Sequence, residues 1–530
     1  MHKMRFFGGI ALVAMSVTGC GLLSASPERD VLVPAEPTMI DFIEPAGVSG
    51  LSTRTLAPAG AEHVYVSYPH LKDTPRLNEA LREEAGRLVR DFREEAGPGA
   101  GAAADLPELN VDWQLTAASG RIIGVRLRTG RHLGTGWTYS TRTLWYDRQS
   151  GRAVGSPGLL SGKDAVGTLT GLVKDGLKDR GAAVSLGRLS TEDDVFDSLT
   201  FNRSGDLVVE FDDCQLGPCS LGRLAVAVPA EQAEPLLSET GRAAQGSARE
   251  RGRRPLETAE AVPPPEKDQA PVPDAASSKA GTVDCAKVKC LALTFDDGPG
   301  PGTARLLDAL RRADARATFF TVGANAAAEP GLVRRIRDEG HLVGNHTWSH
   351  RDLSTLPTSK IGDSLERTQD TLTAAIGQTP RLVRPPYGSV SEDLLEVARK
   401  MGLTLVGSDV DLSGETGETA ETTETGKTGK TTESGKDGKG DAAGETSEAI
   451  VARAVKSARN GAIILVRETH HASVEAISDI LHQLRGKGYV FVTVPELYGS
   501  AGMETGHLYP SRLGGDGGRT AGPARRAGDG

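Results

Sequence analysis

Apolar residues along this chain follow two rhythms, and the change between them divides it. Between residues 61 and 247 short alternating runs surround one long helical stripe. "VYVSY" is strand-like, and Leu77, Leu81, Leu88, Val89 and Phe92 then recur at helical spacing. Alternation returns in "IIGVRLR", where Ile123, Val125 and Leu127 share one face, and in "TRTLWYD" and "GDLVVEFDD". This predicts a smaller α+β domain, with helices on a mostly antiparallel sheet.

From 283 to 498 strands and amphipathic helices alternate instead. "LALTF" precedes a helix carrying Leu306, Leu307 and Leu310, and "ATFFTV" one carrying Leu332, Val333 and Ile336. "HLVGN" precedes a helix through Leu365 and Leu372, and "RLVR" one through Leu394, Leu395 and Val397. "LTLVGS", "AIILV" and "YVFVTV" complete the set, with a helix of Val474, Ile477, Ile480, Leu481 and Leu484 before the last. Repeated β–α units in that number predict an α/β fold whose parallel sheet forms a distorted (β/α) barrel.

Between and beside these regions the apolar signal fails. Residues 21–60 are rich in Pro, Ala, Ser and Thr and read as a tether; 248–282 are charged and Pro-rich and read as a linker. An insert at 414–448 has nine acids and four lysines, a composition that forms no core, and the Gly-rich tail 499–530 reads as disordered too.

Composition narrows the setting. With 65 Gly and 29 Pro among 530 residues, part of the length must be linker. A net charge of −9 argues against a nucleic-acid partner. The N-terminus carries Lys3 and Arg5, an apolar stretch too short to span a bilayer, and then Val17-Thr18-Gly19-Cys20. That arrangement resembles a bacterial lipobox, which implies a lipoprotein signal peptide over 1–20, lipid on Cys20 and an extracytoplasmic protein anchored to the cell membrane. Four cysteines remain, in the local pairs Cys214 with Cys219 and Cys285 with Cys290, and predict two short-loop disulfides. The rival is one four-cysteine metal site, which the spacing does not favour.

Polar clusters follow the predicted barrel strands, where such folds place their chemistry. They are Asp296-Asp297-Gly298-Pro299, His346 to His350, Arg384 to Gly388, Ser408 to Asp411, and Arg467 to His470. His346 and His350, four residues apart, can converge on a metal with a neighbouring carboxylate, leaving an open position. Asp296 and Asp297 cannot both play the same part. One would ligate while the other acts as base beside the metal-bound water. The Arg384 fork suits a carboxylate, and the stiff Pro-Pro after it could aim a main-chain N–H near Tyr387 at an oxyanion.

"TFDDGPG", "HTWSH" and "RPPYG", in that order, resemble the NodB-type polysaccharide deacetylases, carbohydrate esterase family 4. The resemblance covers residues 285 to 498. It implies Asp296 as base, Asp297, His346 and His350 as ligands of a divalent metal (zinc first, cobalt or manganese as alternatives), Arg384 as the group orienting the base, and the Tyr387 N–H as oxyanion donor. It further implies Leu465 and Pro386 at the substrate, and hydrolysis of N-acetyl groups on peptidoglycan or a related cell-wall amino sugar. The front domain is similar to one that precedes the deacetylase in some Bacillus peptidoglycan deacetylases. Related domains occur in lysozyme-sensing anti-sigma factors, which implies a lysozyme-like or wall ligand.

Two motifs depart from the family. Ser408, Gly414 and Glu415 stand where the fourth motif has aromatic and acidic residues. Arg467 and Glu468 stand where the fifth has a His-Asp pair whose histidine is the general acid. Arginine cannot donate a proton at neutral pH. Three outcomes stay open: His470 or His471 substitutes as acid, one carboxylate shuttles the proton both ways, or the chain is a catalytically impaired glycan-binding or wall-sensing lipoprotein.

Overall fold

The computed structural model describes residues 39–58, 62–97, 106–134, 136–178, 184–190, 195–219, 223–253, 283–412, 446–499 and 503–509. Cys20, the signal segment and nearly all of the insert at 414–448 lie outside them.

The front region holds two sheets. The first has the order β1 (Leu51–Leu56), β2 (His63–Leu71), β3 (Glu108–Ala118), β4 (Ile122–His132), β5 (Trp137–Asp147), β6 (Arg152–Gly155). Only β2 and β3 run parallel, joined by the helix Pro75–Ala96. That helix buries Leu77, Leu81, Ala85, Leu88, Val89 and Phe92 against the sheet. Each large apolar side chain there contributes about 1.5–3 kcal/mol relative to exposure. A second sheet, β7 (Ser198–Phe201), β8 (Leu207–Phe211) and β9 (Leu224–Val228), packs with the helix Lys163–Leu177. A disulfide joins Cys214 to Cys219.

The second region is a curled parallel sheet. In chain order its strands are β10 (Lys289–Gly298), β11 (Thr318–Thr321), β12 (Leu342–Asn345), β13 (Leu382–Val383), β14 (Thr404–Val406), β15 (Val410–Asp411), β16 (Ile463–Arg467), β17 (Tyr489–Val492) and β18 (Leu508–Tyr509). Their lateral order is β15-β16-β10-β11-β12-β13-β14-β18, with β17 also on β10. Among the described residues no ladder joins β15 to β18, so the barrel stays open. β10 is buried from Cys290 to Gly298, as a central strand covered on both faces must be. The Cys285–Cys290 disulfide lies at its base.

Four boundaries move, two of them at strands. Residues 51–56, placed in the tether, form β1, because Leu51 and Thr53 bury against the sheet. Residues 508–509, placed in the disordered tail, form β18: Gly506 N–H bonds the Leu403 carbonyl, and Tyr509 packs edge-on against Tyr498. In both places polar neighbours mask a backbone that has a ladder to join. Composition also gave no sign that the front-region helix Glu239–Arg253 runs past 247, or that Ser447–Ser457 starts inside the insert bounds.

Candidate functional site

β10, β12 and β13 deliver the polar groups to one rim. Asp296 lies near the C-terminal end of β10, in register with Phe320 on β11 and Arg467 on β16. Asp297 follows at φ 73°, which turns its carboxylate away from its neighbour's direction. Gly298 comes next because a Cβ there would run into the Glu468 carboxylate. Thr347, His350 and Tyr387 also hold positive φ, at 66°, 59° and 57°. Such conformations cost roughly 1–3 kcal/mol each in side-chain-bearing residues and gather where a site over-determines the backbone.

The Arg384 guanidinium does what its position after β13 predicts. Its Nη1 donates to Asp296 Oδ1 at 2.9 Å and to Thr294 Oγ1 at 2.6 Å. Nε and Nη2 donate to the carbonyls of Val406 and Gly407. Arg384 is 3% exposed and Asp296 3%, so this charge pair is buried, and all three guanidinium nitrogens donate.

Asp297, His346 and His350 form one cluster whose ligand atoms lie within 4.8 Å of one another. Asp297 Oδ1 is 3.1 Å from His350 Nε2 and 3.4 Å from His346 Nε2. His346 Nδ1 sits 2.7 Å from the Arg384 carbonyl. A carbonyl only accepts, so Nδ1 carries the proton and Nε2 presents a lone pair to the cluster. Burial lowers the His350 pKa, against the opposing charge of Asp297. Burial would raise the Asp297 pKa, but His350, contacts from both imidazoles and the charge of Arg467 hold it well below the usual carboxylate range. Asp297 Oδ1 is buried without a hydrogen-bond partner. An orphaned anionic oxygen facing two imidazole Nε2 atoms is a donor set that fits a divalent cation.

Arg467 and Glu468 end β16 beside this cluster, both buried. Arg467 places a fixed positive charge near Asp297 and His350. Glu468 is pushed up to about 8 by burial, against the Thr303 hydroxyl bond and with help from the charges of Asp297 and Asp296. His470 is not among the ligand groups of the cluster. It precedes the helix His471–Gly486, half-buried, and among the described residues its ring makes no hydrogen bond, ion pair or ring contact. His471 is exposed and pairs with Glu475. Leu465 pairs with Thr294 and with Asp411 of β15, and Pro386 is buried beside Tyr387.

The composition of the front region gave no sign that it meets this rim, but it does. Asn110 Nδ2 donates to the Ser349 carbonyl at 2.6 Å, and Asp352 N–H donates to Glu108 Oε1 at 3.1 Å. Arg351 donates to Tyr139 Oη at 2.7 Å and lies 3.8 Å over the Trp137 ring. His63 and Tyr65 of β2 reach Tyr387 and His350. The available sequence signal is that His63 and Tyr65 alternate with Val64 and Val66, so two aromatic rings face away from the front core.

Glu108 carries a testable pH dependence. Burial pushes its carboxyl up to about 8, against the charge of Arg351 and the Asp352 N–H. The folded chain therefore holds this proton more tightly than the unfolded chain. The stability it contributes is complete below about pH 4.5 and is lost as pH rises through 8, on the order of a few kcal/mol. Urea midpoints from pH 5 to 8 are expected to fall less steeply in Glu108→Gln than in wild type; equal slopes would refute this assignment.

Residues 284–406 match the family model described as polysaccharide deacetylase. The chain is 33% identical over 222 residues to a Listeria monocytogenes peptidoglycan-N-acetylglucosamine deacetylase, PgdA, covering 42% of this chain and 41% of that one. It is 32% identical over 213 residues to a Bacillus cereus peptidoglycan-N-acetylglucosamine deacetylase, covering 39% and 68%. It is 32% identical over 210 residues to the Bacillus subtilis peptidoglycan-N-acetylmuramic acid deacetylase PdaC, covering 39% and 38%. The chain thus spans about 41% of the length of the first of these relatives. With two thirds of the Bacillus cereus protein matched at that identity, the chain belongs to the polysaccharide deacetylase family.

Proposed function

We propose that this protein is a divalent-metal-dependent deacetylase that hydrolyses N-acetyl groups on peptidoglycan or a related cell-wall amino-sugar polymer. The observation that carries this is the pairing of two carboxylates in separate roles. Asp297 faces the imidazole Nε2 atoms, while Asp296, one residue away, is held by Arg384. The names of the relatives supply the substrate class.

Asp297, His346 and His350 would hold the cation, zinc by preference with cobalt or manganese as alternatives. Bound there, it would polarise the acetyl carbonyl and acidify a water. Asp296 takes the proton of the attacking water, and Arg384 keeps the carboxylate aimed for that transfer. The Tyr387 N–H donates to the oxyanion that develops on the carbonyl. Leu465 and Pro386 line the acetyl group.

The leaving nitrogen still needs a proton, and Arg467 cannot give one. Asp296, protonated by the first step, returns it; the C–N bond breaks and the free amine and acetate leave. Arg467 contributes a fixed positive charge beside the developing anion. Assembly of base, arginine and metal donors favours turnover over the impaired alternative. The lipobox resemblance supports attachment through Cys20 to the outer face of the membrane.

The test is acetate release from peptidoglycan by the protein loaded with Zn(II), beside a chelator-stripped sample. Stripping is expected to lower the rate at least ~10²-fold and Zn(II) to restore it; equal rates in both samples would sink the proposal. His470→Ala is expected to stay within about threefold of wild type, since its ring is not one of the cluster's ligand groups. A loss nearer ~10²-fold would make His470 the acid instead.

A further inference from the structure

A run of aromatic rings crosses from the front domain into the metal cluster. The Tyr65 ring lies on His350 with centroids 4.3 Å apart and planes 17° from parallel. His350 stands edge-on to Tyr387 at 4.8 Å. Tyr387 in turn lies flat on His63, at 3.7 Å and 3°. Both front-domain rings come from one face of β2. Val64 and Val66, on the other face, pack in the front core.

The two histidine ligands are secured differently. His346 has a polar partner for its outer nitrogen, the Arg384 carbonyl. His350 Nδ1 is buried with no hydrogen-bond partner. A metal-binding imidazole normally has its ring orientation fixed by a bond at that second nitrogen. Here rings hold it instead: Tyr65 on its face and Tyr387 across its edge.

We propose that strand β2 of the front domain is a working part of the metal centre. Tyr65 is a positioning residue for His350, and His63 holds the Tyr387 ring that confines His350 from the other side.

Each ring is itself anchored. Tyr65 is 1% exposed, and its hydroxyl accepts from Asn325 Nδ2 at 3.3 Å; the same nitrogen donates to the Asp297 carbonyl at 2.8 Å. The front domain is thereby tied to two of the three ligand residues. His63 Nδ1 lies 3.5 Å from Asp352 Oδ2, which also accepts from the Ser389 hydroxyl. Stacked aromatic pairs are worth about 0.5–1.5 kcal/mol beyond the area they bury, enough to select one ring orientation. The boundary is that of a fixed wall rather than a removable plug. Separation would leave Glu108, Asn110 and the Asp352 N–H without the partners they hold across it.

The proposal concerns the same site as the deacetylase assignment, but its test reads the metal and not the reaction. Full-length protein, stripped and titrated with Co(II), gives an affinity and a visible ligand-field spectrum. Tyr65→Ala and Tyr65→Leu are expected to weaken Co(II) binding ~10- to 100-fold and shift the bands, the range seen when support of a metal histidine is removed. Tyr65→Phe keeps the stack and is expected within about threefold of wild type. His63→Ala should weaken binding to a smaller degree, about 3- to 10-fold, and His63→Phe should restore it. Circular dichroism and urea midpoints identify variants that fail to fold; Tyr65→Leu, which fills most of the volume, stands in if Tyr65→Ala does.

Folded Tyr65→Leu and His63→Ala proteins with wild-type affinity and bands would overturn the proposal. So would a rise in deacetylation rate in either, which would make the contact a plug. Absence of acetate release from wild type would refute the function proposed above and leave the Co(II) result to decide this one.

Discussion

His346→Ala is expected to leave the protein unable to retain zinc at micromolar concentration and to lower acetate release by at least ~10³-fold. His346 supplies one of two imidazole nitrogen donors, and its proton on Nδ1 is committed to the Arg384 carbonyl. Alanine removes the lone pair at the cluster and the tie to the arginine loop in one step. Losing a cation that stabilises transition-state charge by several kcal/mol corresponds to that many decades or fewer, at about 1.4 kcal/mol each. The fold should persist, because the lost bond is worth only about 1 kcal/mol to stability. Metal content after dialysis and the initial rate of acetate release are the measurements. A dialysed variant with one equivalent of zinc and a rate within tenfold of wild type would remove His346 from the ligand set.

Asp296→Asn is expected to separate the two carboxylates. Metal content should be unchanged, since Asp296 Oδ2 lies 3.9 Å from His346 Nε2 and outside the cluster that Asp297 completes. The rate should fall ~10²- to 10⁴-fold, the usual contribution of a positioned base, and more if the same group returns the proton. Asparagine keeps an oxygen for the 2.9 Å bond from Arg384, so the loss would report proton transfer and not collapse of the rim. Loss of metal, or a rate within threefold of wild type, would show that the two aspartates had been assigned the wrong way round.

Much of this site was legible because its information is local. "LALTFDD" announces both a buried strand and the charged turn that ends it, and period-2 and period-3.6 patterns are properties of a few neighbouring residues. Which strand pairs with which is not, and β1 and β18 were lost among polar residues for that reason. His470 looked available in the chain because it follows the arginine by three residues. In the structure it caps the start of the helix His471–Gly486 and is not one of the cluster's ligand groups. The longest-range contacts were invisible: Asn110 to Ser349 spans 239 positions, and no short window records it.

β18 has a consequence for how the protein behaves in concentrated solution. An uncovered β14 would present its backbone N–H and C=O groups along the rim of an eight-strand path, a template for any extended chain. Two residues of a Gly-rich tail occupy that rim instead, and their own outer edge is too short to recruit a neighbour. Leu508, 41% exposed, is the residue left showing there. The stretch that composition marks as most expendable thus covers one of the two edges of this sheet.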